Sequence, residues 1–162
     1  YPLSLHDALP ILALMMGPIS DHTVDNVDLP PVALTWFRPA NRPEPDLRST
    51  PVVSYNRNSR PYRDLRRQLI DRYGHSTQMF PTSSIHAGLE MVASGIGVGL
   101  FPHQFAEQLV RQGRIVPFDP GWKLDDLHFT ASFLGDPRSE LCARAADIAV
   151  ASASNYLSEK TP

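Results

Sequence analysis

Ser83-Ser84-Ile85-His86-Ala87-Gly88-Leu89-Glu90-Met91-Val92-Ala93-Ser94-Gly95-Ile96-Gly97-Val98-Gly99-Leu100-Phe101-Pro102 is the stretch from which the fold can be read. Thr82, Ser83 and Ser84 place three hydroxyls where a helix would start, and Ile85, Leu89 and Val92 follow at helical spacing. Gly95 closes that helix. Ile96 to Phe101 then reads as a buried strand whose glycines permit close backbone approach, and Pro102 opens another helix carrying Phe105, Leu109 and Val110. Strands alternating with helices signal β/α units and a parallel sheet. The glycines do not make a dinucleotide fingerprint. Its third glycine would have to stand at Leu100, and the motif belongs at a strand-to-helix turn rather than inside a strand.

The alternation extends from Pro51 to about Phe118. Val52-Val53-Ser54-Tyr55 reads as a strand, and Ser59 caps the next helix, with Pro61 in its first turn and Gly74 past its end. Tyr62, Leu65, Leu69 and Tyr73 fall on one face of that helix, and Arg63, Arg66 and Arg67 on another. Thr77 to Phe80 is a short strand, and Gly113 precedes a strand from Arg114 to Phe118. Leu127 to Leu134 is a last strand. Ser139 begins an alanine-rich helix to about Ser158, in which Leu141, Ala145, Ile148 and Ser152 form a face suited to close packing. Upstream, Val32 to Phe37 is a strand within a proline-rich region.

With 162 residues, 42% hydrophobic and 20% charged, the chain has the composition of a globular protein rather than a disordered or fibrous one. The single Cys142 excludes an internal disulfide or a multi-cysteine zinc site, and a reducing, cytoplasmic setting is expected. A net charge of -2 gives no global attraction for nucleic acid or anionic membrane. The 16 prolines are about twice the ordinary usage. Pro30, Pro31, Pro39, Pro43, Pro45 and Pro51 gather in one stretch, which excludes helix there and is expected to lead into a crossover.

Tests for catalytic chemistry fail. There is no nucleophile-elbow pattern, and the histidines include no zinc-helix pair. His86 and Glu90 lie four apart but lack a third ligand, so an exposed pair is the expectation. No catalytic residue, metal or cofactor is assigned. Arg57, Arg60, Arg63, Arg66, Arg67 and Arg72 against Asp64 and Asp71 give +4 over the segment 57–72 and leave -6 for the rest. Without interleaved aromatics on the charged face, this reads as a solvated face.

Ligands of open α/β sheets bind at the carboxyl ends of the strands. Arg57 and Arg60 occupy such a loop. Thr82, Ser83 and Ser84 offer hydroxyls and unpaired N–H groups at a helix start, a setting that favours an anion and equally suits plain capping. Phe101 and Pro102 end the glycine strand on the same edge, as an apolar wall.

The quoted stretch, followed by Leu109 to Pro117, resembles the effector-binding (substrate-binding-like) domain of LysR-type transcriptional regulators, with likeness from about Leu12 to Leu157. The resemblance implies an α/β fold of two Rossmann-like subdomains joined by two crossover strands, like type 2 periplasmic binding proteins. The first would comprise residues 12–48 plus 136–162 and be incomplete. The second would be 49–135, with the Gly135-Asp136-Pro137 turn near a crossover. A small-molecule effector, expected to carry a carboxylate, would bind in the interdomain cleft. Asn56, Arg57, Thr82, Ser83, Ser84 and Phe101 would contact it from the second subdomain, and Met16, Gly17 and Pro18 from the first.

The same resemblance implies a homodimer or homotetramer that reaches promoter DNA through an N-terminal winged helix-turn-helix with no counterpart here, and no membrane association. Ser4-Leu5-His6-Asp7-Ala8-Leu9-Pro10-Ile11 resembles a translated sequencing-adapter remnant, so residues 1–11 are expected to be foreign. Ile11 stands where the family's opening strand has an aspartate, at the same junction. A periplasmic solute-binding protein would share this fold but needs a secretion signal. The apolar run Ala8 to Met16 is a poor one, being preceded by no basic residue, and is too short to span a membrane. A small α/β enzyme is the other alternative, and it lacks a nameable constellation.

Overall fold

The computed structural model describes residues 12–135 and 139–159. Its elements in chain order are β1 (Ala13–Met16), β2 (Val24–Asp28), β3 (Leu34–Pro39), β4 (Val52–Ser54), α1 (Arg60–Tyr73), β5 (Met79–Pro81), α2 (Ile85–Ala93), β6 (Val98–Pro102), α3 (His103–Arg111), β7 (Ile115–Phe118), β8 (Phe129–Leu134) and α4 (Glu140–Glu159). They form two compact units. One runs to Val32 and resumes at Leu127; the other is Ala33–Asp126.

The second unit holds a five-stranded sheet in the order β5-β4-β6-β3-β7. β4 pairs in parallel with β5 (Val52↔Met79) and β6 (Val52↔Val98), whereas β3 is antiparallel to β6 and β7. The expected parallel sheet is thus mixed, with one reversed strand second from an edge. β3 earns that place by burying Leu34, Trp36, Phe37 and Pro39, so both its faces are apolar. The connections β4 to β5 and β5 to β6 run in opposite directions along the sheet, so right-handed crossovers put α1 and α2 on opposite faces. On the α2 face, Phe37, Val53, Tyr55, Leu89, Val92 and Phe101 form the core, with the Tyr55 hydroxyl donating to the Leu100 carbonyl at 2.7 Å.

The expected frame of α1 is present. Ser59 Oγ accepts from the Tyr62 N–H at 3.3 Å, Pro61 lies in the first turn, and Gly74 ends the helix at φ 79° with its N–H on the Ile70 carbonyl. Leu65 and Leu69 are its buried face.

In the first unit, β8 lies between β1 and β2 and is antiparallel to both. Val32 and Leu127 exchange two backbone hydrogen bonds at 2.9 Å, where the chain leaves this unit and returns to it. The boundaries therefore differ from those expected after Arg48 and after Gly135. β3 pairs inside the second sheet, so the proline-rich loop that follows it belongs wholly to the second unit. Residues 1–11, Asp136 and Pro137 lie outside the described residues.

The packing face of α4 also differs from the expected one. Leu141 and Ile148 are 73% and 65% exposed, and Cys142 and Ala146 are the side chains buried against Ala131 and Phe133 of β8. The helix carries two rows at the same period. The row of smaller side chains allows closer approach to the sheet.

Candidate functional site

Parallel pairing of β4, β5 and β6 brings the segments that follow them to one edge of the second unit. The Thr82 N–H donates to the Ser54 carbonyl at 2.9 Å, which ties the start of the serine loop to the end of β4. Asn56, Thr82, Ser83 and Ser84 are consequently on neighbouring loops.

The three hydroxyls of the serine loop have different employment. Ser84 Oγ caps α2 by accepting from the Ala87 N–H at 3.3 Å. Thr82 Oγ1 accepts from the Ser84 N–H and donates to the Ser84 carbonyl, both at 3.2 Å. These two serve the turn itself, as plain capping requires. Ser83 is exposed and its hydroxyl has no partner among the described residues. It is the hydroxyl of this loop used neither by the turn nor by the cap, beside the positive end of the α2 dipole.

In the neighbouring loop, Asn56 Oδ1 accepts from the Asn58 N–H at 2.9 Å, and its carbonyl accepts from both the N–H and Oγ of Ser59. The Asn56 amide nitrogen remains as a donor. Arg57 is exposed and lines a groove of about 610 Å³ with Tyr62, Arg63, Arg66 and Ile70, along the outer side of α1. The structure thus places Arg57 beside the arginine face of α1. In that face, Arg60 and Arg67 flank Asp64 at 3.5 and 3.2 Å.

Phe101 is fully buried. Its ring packs edge-on against Tyr55, with centroids 5.6 Å apart, and presents no surface to a ligand. An apolar residue at a strand end reads the same in sequence whether it walls a cleft or fills a core.

In the first unit, Met16 ends β1 opposite Phe129, and Gly17 turns the chain at φ 78° before the exposed Pro18. The Gly17 N–H donates to the His128 carbonyl at 3.0 Å, and its carbonyl accepts from Thr130 Oγ1 at 2.8 Å. Thr130 Oγ1 meets Ser132 Oγ at 3.0 Å, Ser132 Oγ donates to Asn26 Oδ1 at 2.7 Å, and Asn26 Nδ2 donates to the Ile19 carbonyl at 3.0 Å. This chain of polar groups holds the 17–19 turn at both ends. Sequence reading missed it because alternating Thr and Ser on a strand carries no sign of the cross-strand partner.

Gln104, in the first turn of α3, stands on the same edge of the second unit as the serine loop, and its buried Oε1 has no hydrogen-bond partner. In sequence it reads only as a solvated helical residue.

His86 and Glu90 do separate work. His86 packs edge-on against Phe105, while Glu90 receives a two-pronged bond from Arg114 at 3.0 and 2.6 Å, which holds its carboxyl below the usual range. Among the described residues, no three His, Cys, Asp or Glu side chains group as a metal site, and no helix is long and apolar enough to cross a membrane.

Comparison with known proteins follows the same lines. The family model described as LysR substrate binding domain matches residues 12–153. No curated protein sequence matches the chain. Among solved structures, the bromide-bound regulatory domain of HypT from Salmonella typhimurium superposes with a TM-score of 0.73 at 17% identity, covering 90% of this chain and 72% of that one. Full-length LysG from Corynebacterium glutamicum, with bound effector Arg, gives 0.67 at 18% identity, covering 88% of this chain and 50% of that one. HinK, a LysR family transcriptional regulator from Pseudomonas aeruginosa, gives 0.65 at 19%, covering 88% and 52%. The chain spans about half the length of the LysG and HinK chains.

Proposed function

The chain belongs to the LysR substrate-binding domain family, with its periplasmic-binding-protein-like α/β fold, and on that premise we propose that it is the effector-sensing part of a cytoplasmic LysR-type transcriptional regulator. The observation that carries this reading is the family match over residues 12–153. The whole regulator would act as a homodimer or homotetramer and contact promoter DNA through a winged helix-turn-helix outside this chain. The domain performs no catalysis. It responds to a metabolite by the difference in affinity between two arrangements of the regulator, which sets how far the population shifts.

The effector we propose is a small carboxylate. The unpartnered Ser83 hydroxyl, the Asn56 amide and the start of α2 supply donors and a favourable dipole for an anion. Two relatives support an anionic group in such domains: LysG holds Arg, itself a carboxylate-bearing effector, and HypT holds bromide. Met16, Gly17 and Pro18 are the candidate contacts of the first unit, in a turn braced by Thr130 and Asn26.

Calorimetric titration of the intact regulator with a panel of organic acids, and with the matching uncharged amides and alcohols, tests this directly. Binding of one or more acids that weakens on Ser83→Ala, with the melting temperature unchanged, is the expected result. Tight binding of uncharged compounds alone would overturn it.

A further inference from the structure

The proline-rich loop walls a pocket at the other edge of the second sheet. β3 runs opposite to β4 and β6, so its carboxyl end, Arg38-Pro39, meets the amino ends of β4 and β6 at Pro51 and Gly97. A cavity of about 350 Å³ opens there, a size suited to small ligands. Arg38 and Arg42 bring two guanidiniums to it, and Pro39, Pro43, Pro45 and Ile96 give it apolar walls.

We propose that this pocket is a second binding site, for a small organic acid with an apolar body, separate from the effector loops. Arg38 Nη1 is committed to the carbonyls of Pro39 and Arg42 at 3.3 and 2.6 Å, but its buried Nε has no acceptor. Arg42 makes no ion pair among the described residues, and its guanidinium lies beside Gly95, where an added Cβ would come within 3.5 Å of Nη2. Two cations on one pocket repel each other, and an anion between them relieves that repulsion. The carboxylates nearby do not fill the role: Asp46 Oδ1 accepts from the Arg48 N–H at 2.9 Å, and Glu44 stands exposed on the rim.

The walls explain why the ligand should have an apolar body. Ile96 is 44% exposed, an unusual state for an isoleucine beside a buried strand. The loop is also set in place before any ligand arrives. Its prolines fix φ, Leu47 is buried, and the Val98 N–H donates to the Pro51 carbonyl at 2.9 Å. Gly97 lies so close to Pro51 that a Cβ there would overlap the Pro51 carbonyl oxygen, so the floor admits only glycine.

Amide NMR titration of the chain with sodium benzoate as probe, benzamide as the uncharged control and inorganic phosphate as the anion without an apolar body tests the site. Saturable benzoate shifts centred on Arg42, Gly95, Ile96 and Gly97 are expected, with weaker responses to both controls. Arg42→Gln should weaken benzoate about tenfold. Ile96→Ser should weaken it several-fold, Glu44→Gln should tighten it, and Ser83→Ala should leave it unchanged. If Arg42→Gln loses its dispersed spectrum, the Ile96 and Glu44 variants decide. Absence of shifts at these amides, an equal response to benzamide or phosphate, or loss of these shifts on Ser83→Ala would overturn the proposal. That last outcome would place benzoate at the effector loops instead.

Discussion

Gly88 is held to glycine by the ring beneath it. A Cβ at that position would stand 2.7 Å from Phe101 Cζ and 3.0 Å from Thr82 Cγ2, and the buried ring has nowhere to go. Gly88→Ala should therefore destabilise the protein by about 1–3 kcal/mol in urea unfolding, as overpacking does. Ser83 and Ser84 make a sharper pair. Ser84→Ala removes the cap of α2 and should cost about 1 kcal/mol, whereas Ser83→Ala should stay within about 0.5 kcal/mol. Equal losses would mean that both serve the helix. The cluster of three hydroxyls was legible in sequence as a helix start, but which hydroxyl stays free depends on the turn that Thr82 forms with Ser84. Phe101 was illegible at this scale, since its burial is decided by α2 and Tyr55 rather than by its neighbours in the chain.

Helix ends written in local chemistry can be read from sequence, and α1 shows why. Ser59, Pro61 and Gly74 each act within one turn of where they stand. Faces and strand directions depend on distant partners, so the rows of α4 and the reversal of β3 escaped. Ala146→Leu should cost about 1–3 kcal/mol by forcing α4 off β8, while Leu141→Ser should change stability by less than about 0.5 kcal/mol; both are measurable by chemical denaturation. The joint between α2 and the start of β7 is electrostatic. Hydrogen bonds from Arg114 depress the Glu90 carboxyl below its ordinary 4.5. A depressed folded-state value means the contribution is present above that ordinary value and fades as pH falls through the folded one. The difference in melting temperature between the native chain and Glu90→Gln should accordingly shrink from pH 6 to pH 3. A constant difference would refute an ionic origin, and because both side chains are largely exposed, added salt should also reduce it.

At the scale of the molecule, the prolines read correctly as excluding helix but were assigned to a passage between lobes. They wrap the second sheet instead, because the pairing of β3 with β6 and β7 draws the preceding residue Ala33 into that unit. The second unit is one uninterrupted segment with its own five strands and core, so Ala33–Asp126 expressed alone should give a dispersed amide spectrum and a cooperative melt. A molten spectrum would show that its core needs the rest of the chain. The first unit is built the other way. Among the described residues, β1 and β2 do not pair with each other, and each pairs only with β8. On a ribosome adding about 5–20 residues per second, β1 and β2 would emerge and wait several seconds for their shared central strand, while the segment between them and it completes its own sheet. Order of synthesis thus becomes order of assembly: the inserted unit matures first, and the split unit closes around the last strand to arrive.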